Sequence, residues 1–217
     1  MINEILGELG ELIGFDEGFF TGDSDLFELS ETENLSKIEY LSEVDEIRVN
    51  ETAEIMTNIF TKDVLTSWPE MSVNDKTIKL NEYFIKAGQN LNIETKGVII
   101  EPLPSNDGSI TLGYNSADGY IHVNSAVLND PSQLGEILDT ATHEMRHQFQ
   151  SDALKNPVNF SDIPQDIMDK WRYEWTPGNY IRPEYDLQGY HNQEIECDAR
   201  YFAEAVMKAF ADKMNIN

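Results

Sequence analysis

A single cysteine, Cys197, stands in 217 residues, so no intramolecular disulfide can form and packing, with or without a metal, has to hold the fold. Positive charge is scarce: 15 Lys and Arg face 40 Asp and Glu, for a formal net charge of −25. A surface of that sign repels nucleic-acid backbones and anionic membranes, so neither is an expected partner. Long apolar runs are missing too. A membrane span needs about eighteen apolar residues in a row, and none is predicted. The stretch Met1-Ile2-Asn3-Glu4-Ile5-Leu6-Gly7-Glu8 lacks the positive region and apolar core of a secretory signal, which points to the cytoplasm.

The charge that is present is unevenly spread. Residues 1–60 hold sixteen acidic and two basic side chains, a charge of −14, and the other 157 residues hold −11. This shift predicts an acidic N-terminal segment over 1–70, partly helical and a candidate flap, ahead of a domain over 71–217. Phe15, Phe19, Phe20, Leu26, Phe27 and Leu29 could dock it on a core, and Val49, Ala53, Met56, Ile59 and Phe60 have helical spacing.

Further on, a helix is expected from about Asn74 to Ala87, with Ile78, Tyr83, Phe84 and Ala87 inward and Gly88 as its C-terminal cap. Three short runs follow: 97–100, 109–114 and 120–124. Asn106-Asp107-Gly108 and Asp118-Gly119 supply turns between them. They predict a small, mostly antiparallel sheet with Tyr120–Asn124 at its edge and His122 exposed there. Beyond the sheet, 155–190 is rich in Pro, Trp and Tyr and reads as irregular apart from a helix within 163–175.

The chemistry concentrates in Asp139-Thr140-Ala141-Thr142-His143-Glu144-Met145-Arg146-His147. Leu134, Ile137, Leu138, Ala141, Met145 and Phe149 form an apolar helical stripe; Asp130 reads as N-cap, Pro131 as the first helical residue, Gln133 as closing a capping box, and Asn156-Pro157 as the stop. On that helix His143 and His147 lie one above the other and can reach one metal ion. Glu144 can then take a proton from a water activated at the metal. Arg146 is expected outside the ligand set, paired with a carboxylate, and Gln150 carries no special role.

A catalytic zinc takes three protein ligands. A second helix, from about Asn192 as N-cap to Lys213, offers Glu194, Glu196 and Asp198. Glu196 is favoured, because Ala199 and Ala203 on its face allow close approach to the histidine helix. Glu194 stays an alternative near the helix start, where its charge is favourable without metal. Asp198 is a candidate to orient a ligating histidine, and Cys197 reads as a small buried hydrophobe. Tyr190, His191, Tyr185 and Tyr114 are candidate oxyanion donors.

The helix, the short sheet ending at Tyr120–Asn124, His143-Glu144-x-x-His147 and the later Glu196-x-x-Ala199 with Phe202-Ala203 together resemble the zincin-like metallopeptidases. Over about 74–212 the chain is most similar to the compact gluzincins of phage-associated and polymorphic-toxin proteins. The resemblance implies an α+β fold with a small, mostly antiparallel sheet packed on the active-site helix and a C-terminal ligand-bearing helix. It implies Zn2+ held by His143, His147 and Glu196, with Glu144 as general base and acid; hydrolysis of a peptide bond in a protein or peptide substrate is the leading expectation for that machinery. The alternative is a zinc-stabilised binding protein whose acidic N-terminal segment binds a basic partner.

Overall fold

The computed structural model describes residues 43–215, apart from 104, 107, 108, 111, 116–118, 129 and 184. The expected docking of Phe15, Phe19, Phe20, Leu26, Phe27 and Leu29, the first 42 residues of the candidate flap over 1–70, and the turn residues Asp107, Gly108 and Asp118 lie outside the described residues.

Helices dominate: α1 (Glu43–Ile59), α2 (Lys62–Ser67), α3 (Val73–Asn90), α4 (Ser125–Leu128), α5 (Leu134–Lys155), α6 (Gln165–Glu174), α7 (Leu187–His191) and α8 (Glu194–Met214). The strands are β1 (Val98–Glu101), β2 (Ser105–Asn106), β3 (Ser109–Ile110), β4 (Gly113–Asn115) and β5 (Ile121–Asn124). α8 lies against both α5 and α1, α1 packs on α3, and the sheet rests on α5 and α3. Among the described residues no helix is long and apolar enough to cross a membrane.

α1 follows the expected spacing and buries Val49, Ala53, Met56, Ile59 and Phe60. These join Trp68, Tyr83, Met145 and Phe202 in one core. The anticipated division at residue 70 is therefore not a packing boundary for residues 43–70. α3 is capped by Ser72, whose hydroxyl accepts from Asp75 N and donates to its carboxylate. Two details of α3 differ from the sequence reading. Ile78 is 54% exposed. Gly88 stays inside the helix, where a Cβ would meet the Thr95 side chain at 2.7 Å, and the left-handed turn at the end is taken by Asn92 with φ 57°.

The sheet is three-stranded and mixed, in order β1-β5-β4, rather than mostly antiparallel. β5 runs parallel to β1 (Val98↔Ile121 to Glu101↔Asn124) and antiparallel to β4 (Gly113↔Val123). The 109–114 run is split: its start pairs with β2 in a separate hairpin and its end forms β4. β5 then returns between β1 and β4, so Tyr120–Asn124 is central and not an edge. All four residues of β5 are buried, His122 included at 7% exposure, as befits a strand covered on both faces. The His122 ring stacks on Tyr114 and its Nδ1 lies 2.7 Å from Glu101 Oε1.

α5 buries the whole predicted stripe from Leu134 to Phe149 and ends at Asn156. Its start is built differently. A 3-10 turn at Pro131–Gln133 precedes it, Asp130 Oδ1 accepts from Ser132 N and Oγ, and Gln133 makes no capping hydrogen bond. The Pro- and Tyr-rich connection holds α6 as expected, and also α7, capped by Asp186 accepting from Gly189 N. α8 is not capped by Asn192. Gln193 occupies the cap position, and the Glu174 carboxylate from α6 accepts from Glu194 N and Ile195 N at 2.9 and 3.0 Å.

β4 presses on α5 at Gly113, where a Cβ would stand 2.6 Å from the His122 carbonyl oxygen and 3.4 Å from Thr140 Cγ2. Gly113→Ala is expected to lower stability by about 1–3 kcal/mol, the usual penalty for forcing a methyl into packed structure. A urea denaturation midpoint unchanged from wild type would contradict that packing.

Candidate metal centre

α5 delivers both histidines from one face, as a four-residue step requires. The helix is pinned just ahead of them: Tyr83 donates to Thr142 Oγ1 at 2.7 Å, and Thr142 donates on to Leu138 O. The imidazole rings stand nearly perpendicular, centroids 4.7 Å apart, with their Nε2 atoms at 3.0 Å. α8 brings Glu196 across. Ala199 and Ala203 are buried on that helix, and small side chains there permit the close crossing.

Glu196 Oε2 stands 3.5 Å from Nε2 of each histidine, is buried, and has no hydrogen-bond partner. Three atoms that carry lone pairs thus converge, which is unfavourable unless a proton or cation lies between them. Ligand atoms 2.0–2.1 Å from a tetrahedral zinc ion are about 3.3 Å apart, and the triangle of 3.0, 3.5 and 3.5 Å matches that spacing. His143, His147 and Glu196 are a group that can hold a metal ion. Glu194 is not part of it: its carboxylate lies 3.2 Å from Lys170 Nζ in the first turn of α8.

The orientation of His147 is set by Gln150. Gln150 Nε2 donates to Ile195 O at 2.9 Å and to Asp198 Oδ2 at 2.7 Å, so its Oε1 must be the atom facing His147 Nδ1 at 2.9 Å. Nδ1 therefore carries the hydrogen, and the Nε2 lone pair points to Glu196. Asp198 does orient a candidate ligand, but through Gln150 and not directly. Asp198 is itself gripped by Arg146, which donates from Nε to Oδ2 and from Nη2 to Oδ1, both at 2.8 Å. The third donor, Nη1, goes to Asp45 of α1 at 3.0 Å. The Arg146 guanidinium is 1% exposed and lies over the Phe149 and Phe202 rings.

Tyr180 donates to Glu196 Oε1 at 2.8 Å, a partner that the sequence did not single out. Its backbone neighbour Ile181 is clamped by Gln193, which accepts from Ile181 N at 2.7 Å and donates to Ile181 O at 3.0 Å. Tyr190 stands edge-on to Tyr180, and burial, with the Glu196 charge behind it, raises both phenols well above their ordinary range. The Glu144 charge contributes to raising His147, Tyr180 and Tyr190, so the motif carboxylate lies near the centre. The other candidates point elsewhere. His191 Nδ1 is 2.8 Å from Arg200 Nη1, Cys197 Sγ donates to His191 O, Tyr114 donates to Glu101, and Tyr185 is 81% exposed.

Burial alone would depress His147 and raise Glu196. The close approach of the Glu196 carboxylate to the two imidazoles outweighs burial, lifting His147 to about 9 and holding Glu196 far below the usual carboxylate range. The same field favours a bound cation. A groove of about 650 Å³ opens at His147 and follows the polar face of α5 past Gln148, Ser151 and Asp152, with Asn92 and Lys96 among its lining residues.

Two outcomes follow from this geometry. Replacing Gln150 by Leu removes the acceptor that fixes His147, and divalent-metal affinity measured by chelator competition should fall about 10- to 100-fold. One turn before His143, burial and the neighbouring Glu136 and Glu204 raise Asp139 from 3.8 to about 7. A carboxyl raised on folding stabilises the fold below its unfolded pKa and loses that contribution as pH rises through the folded one. Stability should therefore fall between about pH 4 and pH 7 on this account, and Asp139→Asn should raise the melting midpoint at pH 8 and flatten that slope.

Comparison of the chain with protein-family models, curated proteins and solved structures finds no match to any of them.

Proposed function

We propose that the protein is a zinc-dependent metallopeptidase of zincin-like, gluzincin type, with His143, His147 and Glu196 as its metal ligands. The observation that carries this reading is the buried Glu196 Oε2, without a hydrogen-bond partner and equidistant from two imidazole Nε2 atoms, with Glu144 next to His143 on the same helix. A bound zinc ion supplies Lewis acidity, lowering the pKa of water and polarising a carbonyl.

The chain's own residues do the rest. Glu144 takes the proton from the attacking water and passes it to the leaving amine as the peptide bond breaks. Tyr180 and Tyr190 stay protonated because burial and the Glu196 charge hold their phenols up. Tyr190 can therefore donate a hydrogen bond to the oxygen on which negative charge develops, while the Tyr180 proton is committed to Glu196. Tyr180 holds Glu196 by its other carboxylate oxygen, leaving Oε2 for the metal. With β5 between β1 and β4, the outer strand beside the histidine helix α5 is β4, and an extended peptide would pair there. The groove past Gln148 and Ser151 would take the chain on one side of the scissile bond.

The second reading is a zinc-stabilised binding protein that captures a basic partner through its acidic N-terminal segment, favoured by the charge of −14 over residues 1–60. Glu144 weighs against it, since a structural zinc site needs no general base and closes its fourth position.

The test is zinc content by elemental analysis after loading and desalting, followed by a peptide-library cleavage assay. Wild type and Glu194→Ala are expected to hold one zinc per chain and Glu196→Ala none. Glu144→Gln should retain zinc and lose cleavage by about 10²–10⁴-fold. Cleavage that persists in zinc-loaded Glu144→Gln refutes the mechanism, and zinc retained without any cleavage in wild type leaves the binding-protein reading.

A further inference from the structure

α1 reaches the surroundings of the metal centre through Asp45. This residue, in the first turn of the helix, accepts from Arg146 Nη1 at 3.0 Å across 101 residues of sequence, and also from Arg48 Nη1 at 3.2 Å. From there a line of polar contacts runs inward: Asp45 to Arg146, Arg146 to Asp198, Asp198 to Gln150, and Gln150 to His147 Nδ1. Arg146, Gln150 and Asp198 are each no more than 3% exposed, so water does not interrupt the line. Asp198 alone already neutralises Arg146 and satisfies Nε and Nη2. Nη1 is left to Asp45.

We propose that Asp45 is a positioning residue of the metal centre, acting through Arg146, Asp198 and Gln150 to keep His147 in its ligating tautomer, so that docking of α1 and metal binding are coupled. This rests on the reading of His143, His147 and Glu196 as metal ligands.

The physical step is competition at Asp198 Oδ2, which accepts from both Arg146 Nε and Gln150 Nε2. With Asp45 in place, Nη1 has its own acceptor and Arg146 keeps two donors on Asp198. Without Asp45, a buried N–H loses its partner, a situation costly enough that the guanidinium turns toward the remaining carboxylate. Asp198 then serves three donors of one arginine, and its hold on Gln150 weakens.

Only that hold, with Ile195 O, prevents the Gln150 amide from turning over. In the turned amide the carbonyl would face the Asp198 carboxylate and the NH2 group would face His147 Nδ1. That ring would then keep its hydrogen on Nε2, and an imidazole protonated at Nε2 cannot ligate there. Metal affinity thus depends on a side chain that touches neither the metal nor any ligand. By linkage, the metal in turn strengthens the seating of α1.

The experiment is a double-mutant cycle on the full chain. Zinc affinity is measured by chelator competition for wild type, Asp45→Ala, Gln150→Leu and the double variant, with the metal-free melting midpoint alongside. Asp45→Ala should weaken zinc binding about tenfold, the lower end of what residues behind a ligand contribute. In the Gln150→Leu background it should weaken it no further, while lowering the metal-free midpoint in both backgrounds. Asp45→Asn, which keeps the acceptor and the shape, should restore most of the affinity and serves if the alanine variant does not fold. Hydrogen exchange of the α1 amides should slow on zinc loading.

An unchanged affinity in Asp45→Ala, a full additive loss in the double variant, or α1 exchange indifferent to zinc overturns the proposal. Wild type that binds no zinc instead refutes the metal reading on which it rests, and the two failures are told apart by that first measurement.

Discussion

Three lone-pair-bearing atoms held within 3.5 Å of one another are an arrangement that no part of the chain would adopt by itself. Something has to force it, and here the force is the crossing of α5 and α8. The stripe from Leu134 to Phe149 and the buried face of α8 from Ile195 to Phe210 supply hydrophobic burial, while Ala199 and Ala203 keep the two axes close. The rest of the structure serves that crossing. α1 backs α8, the sheet backs α5, and Tyr83 anchors Thr142 just ahead of the first histidine. The unfavourable convergence of ligand atoms is thus stored in the packing of helices.

The polar support is built on the same plan. Arg146 is a charge in the core, tolerable only because two carboxylates and two aromatic faces surround it. Its presence turns an otherwise apolar interface into one with a single satisfied arrangement. Gln150 reads that arrangement and passes it to His147 as a choice of tautomer.

Much of the centre was legible in the sequence because it is written in helical spacing. His143 and His147 at a step of four, Glu196 with Ala199 and Ala203 on its face, and Arg146 paired with a carboxylate all follow from 3.6 residues per turn. What was not legible depends on contacts across the chain. Gln150 looks like any surface glutamine until Asp198 and Ile195 O are opposite it. Tyr180 is one aromatic among many until Gln193 folds its segment back over Glu196. The sheet misled for the same reason: short alternating runs divided by turn residues read as a meander, and nothing local says that β5 returns between β1 and β4 to pair in parallel. Its burial on all four residues, His122 among them, is a consequence of that return.

The cap on α8 carries a further implication. Glu174 ends one helix and closes the start of the next through Glu194 N and Ile195 N, so the chain between them leaves and rejoins the body at a single point. Such a loop is joined at its base like the two ends of a clasp, and the entropy of closing it grows only slowly with its length. The length of the connection can therefore vary with little effect on where α8 begins, provided that Gln193 still clamps Ile181 and Tyr180 still reaches Glu196. The start of α8, and with it the placing of Glu196, is thus secured from α6 independently of how long the chain between them is.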